Sequence, residues 1–308
     1  MVNSPLKQVS TPSYGSELLI SVPEEFTFAH CQKFLNRNKH ECLHQVDSQR
    51  WIKLLKLDQQ LILVTVSMTQ GSLRVQTHDN ILSESQKRQL KAYITEVFDL
   101  KTDLSQFYRA VKNEEIMAHL TQRYYGLRLI GIPDLFEALC WCVIGQQINL
   151  NFAYQLKKQL VYNKGERLQF KGVDYYTFPE VEVIAEMSTE EFAAWKFSNA
   201  KAQYIIGIAQ AMLQGQISKE MLLGSSKEDA VKGLTALKGV GPWSAHYVMM
   251  KCCRENSAYP IDDVGLQNAV KIHSAMTRKP TKTELLQLSK RWNPWQAYAT
   301  FYLWHSLI

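Results

Sequence analysis

Residues 237–247 read Leu-Lys-Gly-Val-Gly-Pro-Trp-Ser-Ala-His-Tyr, and residues 259–270 read Tyr-Pro-Ile-Asp-Asp-Val-Gly-Leu-Gln-Asn-Ala-Val. In the first stretch, Gly239 and Gly241 lie between two helical patterns, where glycine permits a tight turn and a close approach of the backbone to a ligand. Pro242 follows at a position typical of the first residue of a helix. Backbone N–H groups at such a helix start bind phosphate without reading base sequence. The glycines alone also fit a simple corner between two helices.

The second stretch places two carboxylates at the start of another helix. Pro260 ends an extended segment and an apolar helical pattern begins at Val264, so Asp263 is predicted to be the N-cap or a first-turn residue. Most aspartates at this position only cap the helix. The helix N-terminus nevertheless favours an ionised carboxylate, which makes Asp263 a candidate for charge stabilisation beside the hairpin.

The composition is that of an ordinary globular protein with a mild positive charge. The chain has 308 residues, a net charge of +6 and a pI near 8.9, which permits a polyanionic partner without demonstrating one. We expect a cytoplasmic protein, because no apolar run could span a bilayer and no signal peptide is evident. None of the six cysteines forms a Cys-x-x-Cys pair, which argues against zinc and against an iron–sulfur cluster.

The periodicity of the chain changes near Glu84. Before this residue, four strands are predicted at 17–22, 51–57, 60–67 and 72–77, with a helix at about 27–36. After it, helical spacing continues to the C-terminus. The predicted fold class is α+β, with a small antiparallel sheet packed by helices on one face, followed by an all-helical body. The predicted domains are residues 1–110 and 111–308, the latter divided into 135–255 and 111–134 plus 256–308.

The pattern Leu-x-Gly-Val-Gly-x-Trp followed by Pro-x-Asp-Asp resembles the helix-hairpin-helix (HhH-GPD) DNA glycosylase superfamily, in particular its 3-methyladenine DNA glycosylase II, or AlkA, type. Further similar segments are residues 132–139 running into 144–149, residues 197–205 and residues 291–304. The resemblance is specific over about 130–308 and weaker over the N-terminal domain. It implies an enzyme of base excision repair that flips a damaged base out of duplex DNA and hydrolyses its N-glycosidic bond.

The resemblance assigns the catalytic aspartate to Asp263, with Asp262 as the adjacent alternative. Bifunctional relatives carry a lysine two positions beyond the second glycine of the hairpin, where this chain has Trp243. Because tryptophan cannot form a Schiff base, the resemblance implies a monofunctional enzyme that releases the base without cleaving the strand. Lys238 lies on the other side of the turn, and we expect it to contact phosphate.

The resemblance also implies an aromatic pocket for the base. Bases such as 3-methyladenine and 7-methylguanine carry positive charge, so they leave without protonation and attract electron-rich rings. The enzyme then needs an anion near the oxocarbenium-like transition state and a positioned water. The positions similar to the pocket aromatics are Trp243, Tyr247 and Trp304, although core packing is the commoner role of any one such ring.

Three further groups of residues are implied to contact DNA or a cation. The phosphate-binding hairpin would consist of Lys238, Gly239, Val240, Gly241 and Pro242. The wedge that fills the duplex would be Gln147, where better-known relatives carry leucine, or the apolar Ile148. No cofactor is required, but relatives hold a monovalent cation, Na⁺ or K⁺, through carbonyls that correspond to Thr235, Leu237 and Val240.

The leading hypothesis is therefore a monomeric, monofunctional glycosylase for alkylated bases in double-stranded DNA, with no membrane partner. One alternative is a glycosylase of the same scaffold for a neutral lesion, hypoxanthine or uracil, which would need polar residues in the pocket. Another is a non-catalytic DNA-binding or damage-sensing module, which would not need an acid at position 263. A glycosylase–lyase would need a lysine from elsewhere in the chain.

Overall fold

The computed structural model describes residues 14–308, so residues 1–13 of the predicted N-terminal domain lie outside the described residues. An antiparallel sheet begins the described part, with α1 (Phe28–Leu35) inserted after its first strand. Its strands are β1 (Tyr14–Ser21), β2 (His44–Val46), β3 (Arg50–Leu57), β4 (Gln60–Thr69) and β5 (Ser72–His78). They pair in the order β1-β5-β4-β3-β2. Asp58 and Gln59 have φ of 46° and 64° and form the two-residue hairpin turn between β3 and β4.

Helices form almost all of the remaining regular structure. Within residues 14–308, none of them combines the length and apolar character needed to cross a bilayer. The only strands after the sheet are β6 (Arg167–Phe170) and β7 (Val173–Tyr176), a hairpin within the described residues. The helices are α2 (Glu84–Val97), α3 (Leu104–Ala110), α4 (Glu115–Arg123), α5 (Leu135–Gly145), α6 (Leu150–Lys164), α7 (Val181–Ala185), α8 (Thr189–Ala194), α9 (Asn199–Leu213), α10 (Lys219–Leu223), α11 (Lys227–Thr235), α12 (Pro242–Lys251), α13 (Val264–His273), α14 (Lys282–Lys290) and α15 (Gln296–His305).

The predicted α+β class is confirmed, and the four predicted strands and the helix predicted at about 27–36 are present within a few residues. The sequence analysis missed β2, α7 and the β6–β7 hairpin, all of which have only three to five residues. Such short elements carry too few side chains for a clear period. A signal for the hairpin existed: Lys171 and Gly172 have φ of 49° and 78°, which is the geometry that an X-Gly hairpin turn favours.

The two faces of the sheet are covered by different parts of the chain. Along β4, Ile62 and Val64 join the main core, whereas Leu63 between them belongs to a second cluster. This alternation follows from the two-residue period of a strand. In the second cluster, Leu63 packs with Leu54 and with Tyr175 of β7. Helices therefore cover one face, as predicted, and a hairpin from the helical body covers part of the other.

The main core runs without interruption from the sheet into the helical body. Trp51 of β3 is buried, with its ring centroid 5.6 Å from that of Phe98 after α2. Phe34 of α1 lies 4.4 Å from Phe301 of α15 by the same measure. Burial of each such side chain contributes roughly 1.5–3 kcal/mol. The sheet and α1 thus help to fix α15, the helix that carries Trp304.

A charged cluster is buried where the segment after α1 meets α6. The Lys157 ammonium lies 3.1 Å from the Glu41 carboxylate and 3.8 Å from that of Glu137. Glu41 also accepts the backbone N–H groups of Cys42 and Leu43. Burial alone would raise the pKa of Glu41, but Lys157 and these hydrogen bonds hold it well below its usual range. The pair therefore stays ionised inside the protein.

Replacement of Lys157 by methionine should destabilise the fold strongly, because Glu41 and Glu137 would remain buried without their cation. We expect Lys157→Met to lower the free energy of unfolding by about 3–5 kcal/mol, measured by urea denaturation. Lys158→Met is the matched control, since Lys158 forms no ion pair among the described residues, and it should change stability by about 0.5 kcal/mol or less. Equal effects of the two substitutions would contradict the assigned role of the cluster.

The stability of the protein should fall in mild acid because of His305. Neither ring nitrogen of this fully buried residue has a hydrogen-bond partner among residues 14–308. Burial, reinforced by His30 and Lys33, lowers the pKa of His305 to about 3, whereas an unfolded histidine titrates near 6.5. Below pH 6.5 the unfolded state binds a proton that the folded state does not, so this stability is lost as the pH falls toward 3.

The test compares the wild type with His305→Phe, whose ring can still pack against Tyr124. Between pH 7 and pH 5, the loss of unfolding free energy should be about 2 kcal/mol larger in the wild type than in the variant. Urea titrations at both pH values measure this difference. An identical pH dependence in the two proteins would show that His305 does not titrate in this way.

Candidate active site

Asp263 is the N-cap of α13, as predicted, and its carboxylate is held on both oxygens. The Oδ1 atom accepts the backbone N–H of Leu266 at 2.7 Å, which is the ordinary capping bond. Asp263 is half-buried, whereas the neighbouring Asp262 is exposed and forms an ion pair with Lys282 of α14 at 2.9 Å. The geometry therefore separates the two candidate acids: Asp263 faces the helical body and Asp262 faces α14.

Two tryptophan side chains complete the hydrogen bonding of Asp263. Trp243, in the first turn of α12, donates its indole N–H to Oδ2 at 3.1 Å. Trp304, in the last turn of α15, donates its indole N–H to Oδ1 at 2.7 Å. The three donors to Asp263, one backbone and two indole N–H groups, are all neutral. Among the described residues, Asp263 also forms no ion pair. Neutral donors and a helix N-terminus favour negative charge at this point without cancelling it.

Gly265 belongs to this site, although the sequence analysis did not single it out. A Cβ atom at this position would lie 3.0 Å from the Asp263 Oδ1 atom and 3.2 Å from Trp304 Cδ1. These distances are tighter than ordinary van der Waals contact, so a side chain would press on the bond between carboxylate and indole. The signal in the sequence was the Asp-Val-Gly order, which places a glycine two residues after the acid.

The three predicted pocket aromatics come together. Trp243 and Tyr247 are one helical turn apart on α12, with ring centroids 5.5 Å apart, and Tyr247 lies 5.9 Å from Trp304. Tyr247 is buried, and burial raises its pKa well above the usual value. Sequence reasoning assigned all three rings to base stacking, but it missed that both indole edges are bound to the carboxylate. Only the ring faces remain for a flipped base.

A small cavity of about 70 Å³ is lined in part by Tyr247. Its walls include Tyr154 of α6, Trp141 of α5 and, from the segment after α1, Arg37. The Arg37 guanidinium donates to the backbone carbonyl of Phe34 at 2.8 Å. The N-terminal domain thus contributes side chains to a cavity that Tyr247 also lines.

The predicted hairpin connects α11 to α12 and presents an exposed surface. Gly239 has φ of 89°, and a Cβ atom there would lie 2.3 Å from the Tyr204 ring, so only glycine fits. Val240 is buried, whereas Lys238 and Pro242 are exposed. No side chain caps the N-terminus of α12. Its first-turn N–H groups are therefore suited to an external anion such as phosphate.

The loop between α5 and α6 contains both predicted wedge residues. Gln147 is exposed and adopts a left-handed conformation, with φ of 57°. Ile148 is partly buried and packs against the main core. The geometry therefore gives Gln147 the accessible side chain and Ile148 a packing role. Just before them, Gln146 donates its side-chain amide to the Gly239 carbonyl at 2.7 Å.

No lysine among residues 14–308 contacts Asp263. Lys238 is exposed on the hairpin, and Lys251 is buried near the far end of α12, where its ammonium donates to the Ile130 carbonyl. Burial lowers the pKa of Lys251 well below its usual value. The position at which a lysine would face the acid is occupied by Trp243, whose indole is bound to the carboxylate.

The carbonyls predicted to hold a cation belong to the segment from the end of α11 to the hairpin. The Leu237 carbonyl accepts the backbone N–H of Val240 at 3.0 Å. Among the described residues, the carbonyls of Thr235 and Val240 accept no backbone hydrogen bond, so they have lone pairs to offer. Within residues 14–308, no group of three His, Cys, Asp or Glu residues is arranged to hold a metal ion.

Two family models together match most of the chain. Residues 140–294 match the family model described as HhH-GPD superfamily base excision DNA repair protein, and residues 21–139 match the N-terminal domain of 8-oxoguanine DNA glycosylase. A DNA-3-methyladenine glycosylase of Bacillus subtilis is 43% identical over 94% of this chain and 97% of its own length.

Solved structures share the fold of this chain. The 3-methyladenine DNA glycosylase of Archaeoglobus fulgidus superposes with a TM-score of 0.81 at 23% identity, over 93% of this chain and 97% of its own. A 3-methyladenine DNA glycosylase of Schizosaccharomyces pombe, solved in complex with abasic DNA, has a TM-score of 0.50 at 25% identity, over 70% and 95%. The chain therefore belongs to the HhH-GPD superfamily of base excision DNA repair proteins.

Proposed function

We propose that this protein is a monofunctional DNA glycosylase that releases alkylated purines, chiefly 3-methyladenine and 7-methylguanine, from double-stranded DNA. The observation that carries the proposal is the Asp263 carboxylate, which is held by three N–H donors beside a cluster of aromatic rings. The Bacillus subtilis relative, which spans nearly the whole chain, is named a DNA-3-methyladenine glycosylase, and this supports the assigned substrate class.

The proposed reaction requires a negative charge near the sugar and does not require a proton donor for the leaving base. An N-alkylated purine is already cationic and is a good leaving group, and breaking its glycosidic bond leaves positive charge on the sugar. Asp263 would stabilise that oxocarbenium-like charge, as pre-positioned charges do in other enzymes. Both of its oxygens accept N–H bonds, so activation of the attacking water is its lesser role.

The aromatic rings would bind the flipped base through their faces. The indole edges of Trp243 and Trp304 point at Asp263, so each ring can hold the acid by its edge and meet the base with its face. A cationic base over such a face gains cation–π attraction of about 0.5–2 kcal/mol, the more so when desolvated. Tyr247 lies within 6 Å of both indoles, centroid to centroid, and would form the inner wall.

The hairpin and the wedge would hold the DNA around the flipped nucleotide. The uncapped start of α12 and the exposed Lys238 suit a phosphate. Gln147 has the conformation and exposure needed to enter the space that the base leaves. We propose that the carbonyls of Thr235, Leu237 and Val240 would hold Na⁺ or K⁺, since carbonyl oxygens suit such ions, and the ion would add positive charge facing the phosphate.

We further propose that the enzyme acts as a monomer in the cytoplasm and leaves the DNA strand intact. One chain supplies the acid, the rings, the hairpin and the wedge. Strand cleavage would require a lysine nucleophile at the acid, and Trp243 occupies that place.

The first prediction of this proposal concerns the charge at position 263. Asp263→Asn keeps the side-chain shape but removes the anion, so release of 3-methyladenine and 7-methylguanine from methylated duplex DNA should fall about 10²–10³-fold. Chromatography of the released bases measures the rate, and a gel checks that the strand breaks only after alkali. Asp262→Asn is the matched control and should retain most of the activity, because Asp262 pairs with Lys282 instead.

Two results would overturn this assignment. Full activity in Asp263→Asn would transfer the role to another acid, with Asp262 the first candidate. Tight DNA binding by the wild type without release of any base would show a binding module rather than an enzyme.

A second prediction concerns the indole N–H groups. Trp304→Phe and Trp243→Phe each keep an aromatic face but remove one donor to Asp263. A hydrogen bond to a charged group contributes about 1.5–3 kcal/mol, so each single-turnover rate of base release should fall about ten-fold or more. Trp195→Phe, which alters an indole near Phe192 and away from the site, should leave the rate unchanged. If all three variants kept the wild-type rate, the carboxylate would not depend on the indoles.

A further inference from the structure

The loop that carries Gln147 is tied to the hairpin by a direct hydrogen bond. The side-chain amide of Gln146 donates to the Gly239 carbonyl at 2.7 Å, across 93 residues of sequence. Gln146 is also the C-cap of α5 and the residue immediately before Gln147. The bond therefore joins the C-cap residue of α5 to the left-handed glycine at the centre of the hairpin.

Helix α9 supports both ends of this connection from one face. Lys201 donates its ammonium to the Ile144 carbonyl in the last turn of α5, at 2.7 Å, a position where a cation is favoured. Tyr204, three residues further on and hence on the same face, packs against Gly239 so closely that no Cβ fits there. The wedge loop, the hairpin and α9 thus form one interlocked unit.

A wedge works only if it resists being pushed out. A flipped base and its partner tend to restack, and the cost of keeping them apart is a few kcal/mol. Gln147 projects from the loop in a left-handed conformation, which is uncommon for a residue with a side chain. Such a residue stays in place only when its surroundings hold it, and the bond from Gln146 is the direct link between its backbone and the element suited to grip phosphate.

We propose that Gln146 is a positioning residue that couples the hairpin to the wedge, so that docking of the hairpin on a phosphate sets the depth of Gln147 in the duplex. This inference rests on the proposed function, since it concerns how the flipped state is maintained. Gln146 need not touch the base or the sugar. Its role is to fix the backbone of Gln147 relative to Gly239.

The test uses two substitutions that remove the amide donor of Gln146. Gln146→Glu keeps the side-chain length but its carboxylate cannot donate to a carbonyl, and Gln146→Met removes the donor without adding charge. One neutral hydrogen bond contributes about 0.5–1.5 kcal/mol, so both variants should release 7-methylguanine paired with cytosine about 3- to 10-fold more slowly in single turnovers. The affinity of Gln146→Met for undamaged duplex should match that of the wild type, because neither the hairpin surface nor the net charge changes.

A second substrate separates positioning from a general defect. When the same 7-methylguanine lies opposite an abasic site, it has no pairing partner and flips at lower cost. The variants should then act almost as fast as the wild type. Equal losses on both substrates would mean that Gln146 supports the chemistry or the fold, and no loss on the paired lesion would mean that the bond does not matter. Either result overturns the proposal.

A double-mutant cycle gives an independent measure. If Gln146 acts through Gln147, then Gln147→Ala should slow the paired lesion selectively, and Gln146→Met combined with Gln147→Ala should be little slower than Gln147→Ala alone. Multiplied effects would show that the two residues act separately and would overturn the coupling.

Failure of the proposed function can be distinguished from failure of the coupling between Gln146 and Gln147. If the wild type released no base from either substrate, the glycosylase assignment would be wrong. The coupling would then be judged from the fluorescence of 2-aminopurine placed next to the abasic site. Wild type should raise this fluorescence by unstacking the base, and both Gln146 variants should raise it several-fold less; equal signals would overturn the coupling.

Discussion

Everything in the active site depends on how one carboxylate is held. Asp263 accepts N–H groups from its own helix and from the side chains at the start of α12 and the end of α15. These donors solvate the anion in place of water, but none carries a charge that would cancel it. A lysine or arginine partner would have held the carboxylate more firmly and reduced its effect on a cation nearby. The site therefore combines fixed geometry with an uncompensated negative charge.

The same arrangement explains why aromatic residues occupy these positions. An indole has a donor at its edge and electron density on its faces. At Trp243 and Trp304, the edge serves the acid and the face is free for a positively charged base. A phenyl ring would offer only the face, and a lysine only a charge. In the proposed reaction, each of these two side chains would therefore both hold the acid and bind the base.

Sequence reasoning recovered what local signals encode. Three features are each encoded by a few neighbouring residues, and all three lie where they were predicted: the turn at Gly239, the helix start at Pro242 and the cap at Asp263. Contacts between distant segments left no such local signal. The bond of Trp304 to Asp263 spans 41 residues and that of Gln146 to Gly239 spans 93, and their partners become apparent only after packing. Gly265 was overlooked although it follows Asp263 by two residues, because its contact with Trp304 becomes apparent only after packing.

The core continues from the sheet into the helical body, so it determines how short a fragment of this protein could be and still form the site. The hairpin and Asp263 lie in the last third of the chain, yet α15, which carries Trp304, rests on Phe34 of α1 through Phe301. A fragment without the sheet would keep the acid, the hairpin and the wedge. It would also expose Phe98, because the ring of Trp51, which packs against it, belongs to the sheet. We therefore expect the sheet and the helical body to fold as one unit.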